Sequence, residues 1–192
     1  MKKELVELTK LLPCIEGLEY ARSKPSLDVA WDECPEPAWL LWYVRKKFLI
    51  EKTNSVKIAC FAARQALPIF ETARPNDNRP RAAIKAAEAW WKNPTEENRA
   101  AAYAAAADAA YAADAAYAAD AADAAYAADA AYDAAYAAAY AAADAAAYAA
   151  YDAADAAAYA AAYDAAYAAD TWKEMKIKIC NFIRSLIPNP FK

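Results

Sequence analysis

Histidine is absent from the 192 residues, and with it the commonest general base and the commonest metal ligand. Glycine occurs once, at Gly17. A loop that cradles phosphate needs several glycines in one turn, so no such loop can be built here. One glycine and few β-branched runs also argue against sheets, whose turns need residues that tolerate positive φ. No run of about 18 apolar residues is free of charge, so no membrane span is expected. Residues 1–10 are charged and amphipathic, which does not read as a signal peptide. The four cysteines, Cys14, Cys34, Cys60 and Cys180, lack CxxC spacing and sit among apolar neighbours. They are expected to be buried free thiols rather than a disulfide or metal set. The absences together predict a cytoplasmic chain with no catalytic residue, no metal and no cofactor.

One further absence is local. Residues 101–170 contain no lysine or arginine and eleven aspartates, a charge of −11. The rest of the chain is therefore +7, and the overall −4 conceals a polarised molecule. Either the two parts attract each other, within the fold or between subunits, or one of them faces a charged partner.

What is present reads as an all-α fold in three segments. Residues 1–97 form an N-terminal multi-helix module, 98–170 a helical tract rich in Ala, Tyr and Asp, and 171–192 an amphipathic helix folding back on the module. In the module, Leu5, Leu8, Leu11 and Leu12 make one apolar stripe ended by Pro13. Ser26 is placed to cap a short helix carrying Val29, Ala30 and Trp31. After Pro35 and Pro37, a helix holds Trp39, Leu40, Trp42, Tyr43 and Phe48. A fourth begins near Ser55, with Pro68 expected to kink it. The Arg74–Pro80 segment is a turn by composition, and Pro80 suits the start of a fifth helix. Asn93, Pro94 and Glu96 read as the cap, first position and capping box of the next, and Thr171 with Glu174 as the capping box of the last.

Between Asn98 and Asp170 nothing breaks a helix, since alanine has the highest helix propensity. From Asp108 to Tyr132 the non-alanine residues recur every third position and wind around the helix. After Asp133 the step becomes mostly four. A lone alanine rod buries little, so at least two packed helices are expected. Their turns are placed at Asp120–Asp123, Asp129–Asp133 or Tyr151–Asp155. Tyr136, Tyr140, Tyr148, Tyr151 and Tyr159 are expected to be the least exposed tyrosines. Carboxylate pairs such as Asp120/Asp123 and Asp152/Asp155 are read as untuned, with nothing to desolvate them.

The candidate binding residues lie around the Asn-Asp-Asn turn: Arg64, Glu71, Arg74, Asp77, Arg79 and Arg81. Guanidinium forks suit carboxylate or phosphate; they also serve to tie a turn to neighbouring helices by ion pairs. The aromatic set Trp39, Trp42, Tyr43, Trp90 and Trp91 is read as core packing.

Three runs resemble a known family. They are Cys34-Pro35-Glu36-Pro37-Ala38-Trp39-Leu40-Leu41-Trp42, the helix from Cys60 to Glu71 with its Ala-Arg and Leu-Pro pairs, and Arg79-Pro80-Arg81-Ala82-Ala83-Ile84-Lys85-Ala86-Ala87-Glu88-Ala89-Trp90. They are similar to segments of immunity proteins from bacterial polymorphic-toxin loci, also carried by gut phages. Lys85 stands where those relatives more usually have Glu. The resemblance implies a non-catalytic protein in a bacterial host cell that occludes a protein partner, a toxin or a defence effector. One alternative is a sponge for a small nucleotide signal, held by Arg64, Arg74, Arg79 and Arg81 with aromatic rings stacking the base. Another is an acidic DNA mimic, although eleven charges over the tract are sparse beside duplex DNA. The aspartates would repel phosphate, so direct nucleic-acid binding is not expected of the tract. A homo-oligomer is compatible with all three.

Overall fold

The computed structural model describes residues 3–47, 49–117, 122–139, 152–153, 156–157 and 168–192. Among these there are nine helices and no strand, an all-α fold. Helices α1 (Lys3–Lys10), α2 (Ile15–Ser23), α3 (Leu27–Glu33) and α4 (Pro37–Lys46) are short. The longer ones follow: α5 (Lys52–Ala73), α6 (Arg79–Lys92), α7 (Glu96–Tyr117), α8 (Ala122–Ala139) and α9 (Ala168–Leu186).

Local chemistry sets most boundaries. Ser26 Oγ accepts from Val29 N at 3.2 Å and starts α3. Pro37 and Pro80 stand in the first turns of α4 and α6, where a missing N–H costs nothing. Two sequence expectations are corrected here. The cap of α7 is Thr95, whose Oγ1 accepts from Asn98 N at 3.2 Å, while Asn93 accepts a bond from the Asn98 side chain instead. Thr171 lies inside α9, because the alanines before it extend the helix by a turn. Helix α5, expected to begin near Ser55, begins at Lys52 and contains Pro68.

The alanine tract folds into the body of the protein. Helices α7 and α8 pack on each other, α8 also on α5 and α6, and α7 on α6. The contact is made by methyl groups. Ala102, Ala106, Ala109, Ala113 and Ala116 of α7 are all buried, at alternating steps of four and three. On α5 the same steps bury Ala59, Ala63, Ala66 and Phe70; on α6, Pro80, Ala83, Ala87 and Trp90. Such spacing keeps one stripe facing a neighbour along the whole helix. One core runs from Trp31 through these alanines to Ile187.

Every described residue of 98–170 is helical. The expected break at Asp129–Asp133 is absent, because α8 runs straight through it. Residues 118–121, between α7 and α8, lie outside the described residues, as do Tyr140, Tyr148, Tyr151, Tyr159 and Asp155. Asp123 is already within α8.

Helix α9 closes the module against α4 and α5. Ile179, Cys180 and Ile183 are fully buried, and Phe182 stacks on Phe61 with ring centroids 4.2 Å apart. Arg184 Nε donates to Trp31 O at 2.9 Å, and its Nη2 donates to Cys34 O. The nearly buried Lys176 pairs with Glu36 at 2.6 Å. Beyond the helix, Asn189 Nδ2 donates to Asp28 Oδ1 and Asp32 Oδ1 at 2.9 and 2.8 Å, which lays Phe191 against Tyr43.

Candidate binding surfaces

The arginine cluster is assembled as an ion-pair ladder between α5 and α6. Arg64 Nη2 donates to Glu88 Oε2 at 2.8 Å, and Arg81 reaches both oxygens of Glu71 at 2.6 Å. Between the helices, Arg79 grips Asp77 through Nε and Nη2 at 2.9 and 2.6 Å. Arg74 turns to the tract and donates to Ala115 O at 2.6 Å. The electrostatics follow: the Arg79 guanidinium holds the Asp77 carboxyl below its usual range, and Arg64 does the same for Glu88. Glu71, Arg74, Asp77, Arg79 and Arg81 lie at the α5–α6 connection, Arg64 pairs with Glu88 further along the two helices, and every guanidinium is engaged by a protein acceptor. Arg79 also feels Asp108 of α7, so part of the charge segregation is answered within the fold.

The tract carries a second arrangement, which the sequence reading placed elsewhere. Asp129 and Asp133 sit one turn apart on α8, half-buried beside Tyr126, Tyr132 and Tyr136. Burial, reinforced by Asp114, pushes the Asp129 carboxyl up to about 6. Burial, with Asp152 and Asp129 adding like charge, pushes Asp133 up to about 8. The pairs read as untuned were Asp120/Asp123 and Asp152/Asp155, of which Asp120 and Asp155 lie outside the described residues; the desolvated pair, Asp129 and Asp133, was not singled out. The available signal was an i, i+4 aspartate pair interleaved with tyrosines. Among the described residues no group of three acidic or sulfur side chains is placed to hold a metal ion.

A third feature was not anticipated. A cleft of about 320 Å³ opens between α2, α3 and α4. Its walls are mainly aromatic: Tyr20, Trp31, Trp39, Trp42, Tyr43 and Phe191. The one glycine of the chain is at this cleft. A Cβ on Gly17 would stand 3.2 Å from Cys14 Sγ, a tight contact, and 3.5 Å from the Trp39 indole, an ordinary one. Cys14 Sγ caps α2, accepting from Gly17 N at 3.4 Å.

Leu12 and Ile15, on either side of the cleft-lining Pro13 and Cys14 in the chain, are 84% and 73% exposed, which makes them the most exposed large apolar side chains described. Leu12 has φ of 57°, the one non-glycine residue at positive φ among those described. The apolar stripe expected to bury Leu12 ends one residue early. The polar handles are quiet: Tyr20 donates to Ala30 O, with its hydroxyl pushed up to about 12 by burial, and the Cys34 thiol is pushed up to about 11 for the same reason. Cys34, Cys60 and Cys180 are buried free thiols as expected; Cys14 is exposed, which corrects that reading. Of the aromatic residues read as core packing, Trp39, Trp42 and Tyr43 form this open wall as well, whereas Trp90 and Trp91 do not line it.

No described helix is long and apolar enough to cross a membrane. No family model, no curated protein and no solved structure matches the chain.

Proposed function

We propose that this chain is a non-catalytic binding protein that neutralises a protein partner, a toxin or a defence effector, by covering part of its surface. The observation that carries this reading is the cleft with its six aromatic lining residues, whose Pro13 and Cys14 are flanked in the chain by the solvent-exposed Leu12 and Ile15. Exposed apolar side chains and an open pocket with aromatic walls suit a protein surface that exchanges anchors with a partner. A left-handed leucine is a costly way to expose a side chain, and such strain is concentrated at functional sites. The similarity of the Cys34–Trp91 region to immunity proteins points the same way. The engaged arginines weigh against the nucleotide-sponge alternative, since a phosphate would have to displace Asp77, Glu71 or Glu88 from their forks.

Co-expression with a panel of bacterial toxins and defence effectors tests the reading. Rescue of growth by the wild-type chain, lost in an Ile15→Asp and Trp39→Ala double variant whose helical circular dichroism is unchanged, is the expected result. Rescue that survives this double variant but fails with Arg79→Ala, together with a thermal shift on adding a nucleotide, would overturn it in favour of the sponge.

A further inference from the structure

We infer that α1 is an exchangeable arm, and that two copies of this chain form a dimer in which each α1 docks on the other's α2–α4 module. The seat of α1 is a separate small cluster. Leu8 packs with Ala21, Leu27 and Ala30, apart from the main core, and Leu5 and Leu11 are only half-buried. Two voids adjoin this seat, of about 320 and 230 Å³, and both are lined by Leu8, Leu27, Tyr43 and Phe191. The arm is therefore held by few close contacts, although its charges suit the seat. Glu7 has its carboxyl held down first by Lys10 of its own helix and also by Lys47 at the end of α4.

The connection to the module is strained. Leu11 N and Leu12 N donate back to Leu8 O and Thr9 O at 3.0 and 3.1 Å, which closes a tight turn with Leu12 at φ 57°. A left-handed backbone is unfavourable for leucine, and the following Pro13 favours an extended residue before it. The Leu12 side chain, 84% exposed, contributes almost nothing to hold the turn. Opening the turn to an extended hinge relieves the strain at Leu12. The apolar contacts of α1 are then remade, residue for residue, on an identical seat in a second copy. A short, strained hinge is the feature that favours such exchange. This inference is independent of the effector reading, because it concerns the purified chain alone.

The test is sedimentation velocity over a concentration series on wild-type, Leu12→Gly and Leu12→Pro chains, joined to amide exchange of residues 5–11. Glycine accepts the left-handed turn, so the closed monomer gains and the dimer dissociation constant should rise about tenfold or more, one strained residue being relieved per chain. Proline fixes φ near −65° and removes the N–H that closes the turn, so the dimer should tighten. Amides of α1 should stay protected in the dimer. A wild-type chain that is monomeric at its highest soluble concentration overturns the inference. So does a dimer whose dissociation constant is unchanged in Leu12→Gly, or one in which α1 amides exchange freely. If Leu12→Pro fails to fold, the wild-type and Leu12→Gly pair decides the matter.

Discussion

The module and the tract solve the same problem with opposite materials. Around α3, α4 and α9 the core is made of large side chains, Trp31, Leu41, Ile179 and Ile183, and is fastened by specific polar links such as Arg184 to the carbonyls of Trp31 and Cys34. In α7 and α8 the buried surface is almost all methyl groups at three- and four-residue steps. An alanine gains little from burial on its own, since a methyl removes only a small apolar area from water. What it offers is close approach of two backbones along many turns, together with the best helix propensity. The module gains stability from volume, the tract from fit. The module should therefore be broken by removing atoms, and the tract by adding them.

The largest effect is expected in the module. Leu41→Ala leaves a cavity in a fully packed site and should cost about 2–5 kcal/mol, read as a lower midpoint in chemical denaturation. In the tract the corresponding injury is Ala131→Leu. Ala131 is completely buried against neighbouring helices, and the added carbons should cost about 1–3 kcal/mol through displaced backbone. If Ala131→Leu is neutral in the same denaturation experiment, the methyl seam is looser than described and the contrast between the two regions fails.

A third expectation has the opposite sign. Asp133, pushed up to about 8, and Asp129, pushed up to about 6, bind protons more tightly folded than unfolded. Their contribution is fully present below the unfolded pKa near 4 and is lost as pH rises through 6 and then 8. Asp133→Asn, neutral at every pH, should raise the melting temperature at pH 8 by several degrees, with the gain shrinking toward pH 4. A melting temperature for this variant that tracks wild type across pH 4–8 would mean that the carboxyl is solvated.

The smallest effect separates the tyrosines. Tyr111 is 66% exposed on α7, whereas Tyr136 is half-buried and lies 5.6 Å from the Tyr132 ring. Tyr111→Ser should change stability by less than about 0.5 kcal/mol. Tyr136→Ser should cost more, and equal melting temperatures for the two would remove the distinction.

What was legible in the sequence was what depends on neighbours along the chain. Ser26 as a cap, Pro80 at a helix start, and the helical state of the described tract all follow from residues within a turn of one another. The engagement of Arg79 and Arg81 was legible, since Asp77 and Glu71 stand in the same cluster and ion pairs that tie the turn were one reading of it; the partner of Arg64 was not, because Glu88 comes from 24 residues away. The misplaced break at Asp129–Asp133 has a simpler cause. The period of Tyr and Asp was taken as the packing signal, while the stripe that faces the neighbours is written in alanine, where it cannot be told from the filler. The cleft left no local trace, because it is a space between elements rather than a property of any one of them.

The three–four alanine steps of α7 have one more consequence. A stripe built from a single residue type repeats itself after every seven positions, so sliding one helix along its neighbour by seven residues, about 10 Å, returns methyls to methyl-sized gaps. Alanine alone therefore does not fix where the helices stop relative to one another. The markers that do are the sparse residues that differ: Arg74 locked to the carbonyl of Ala115, and Arg79 in the field of Asp108. The tract works like a ruler with uniform divisions and few numerals. Insertions or deletions of seven residues between those numerals would leave the packing in phase, whereas a change of one or two residues would turn aspartates into the seam.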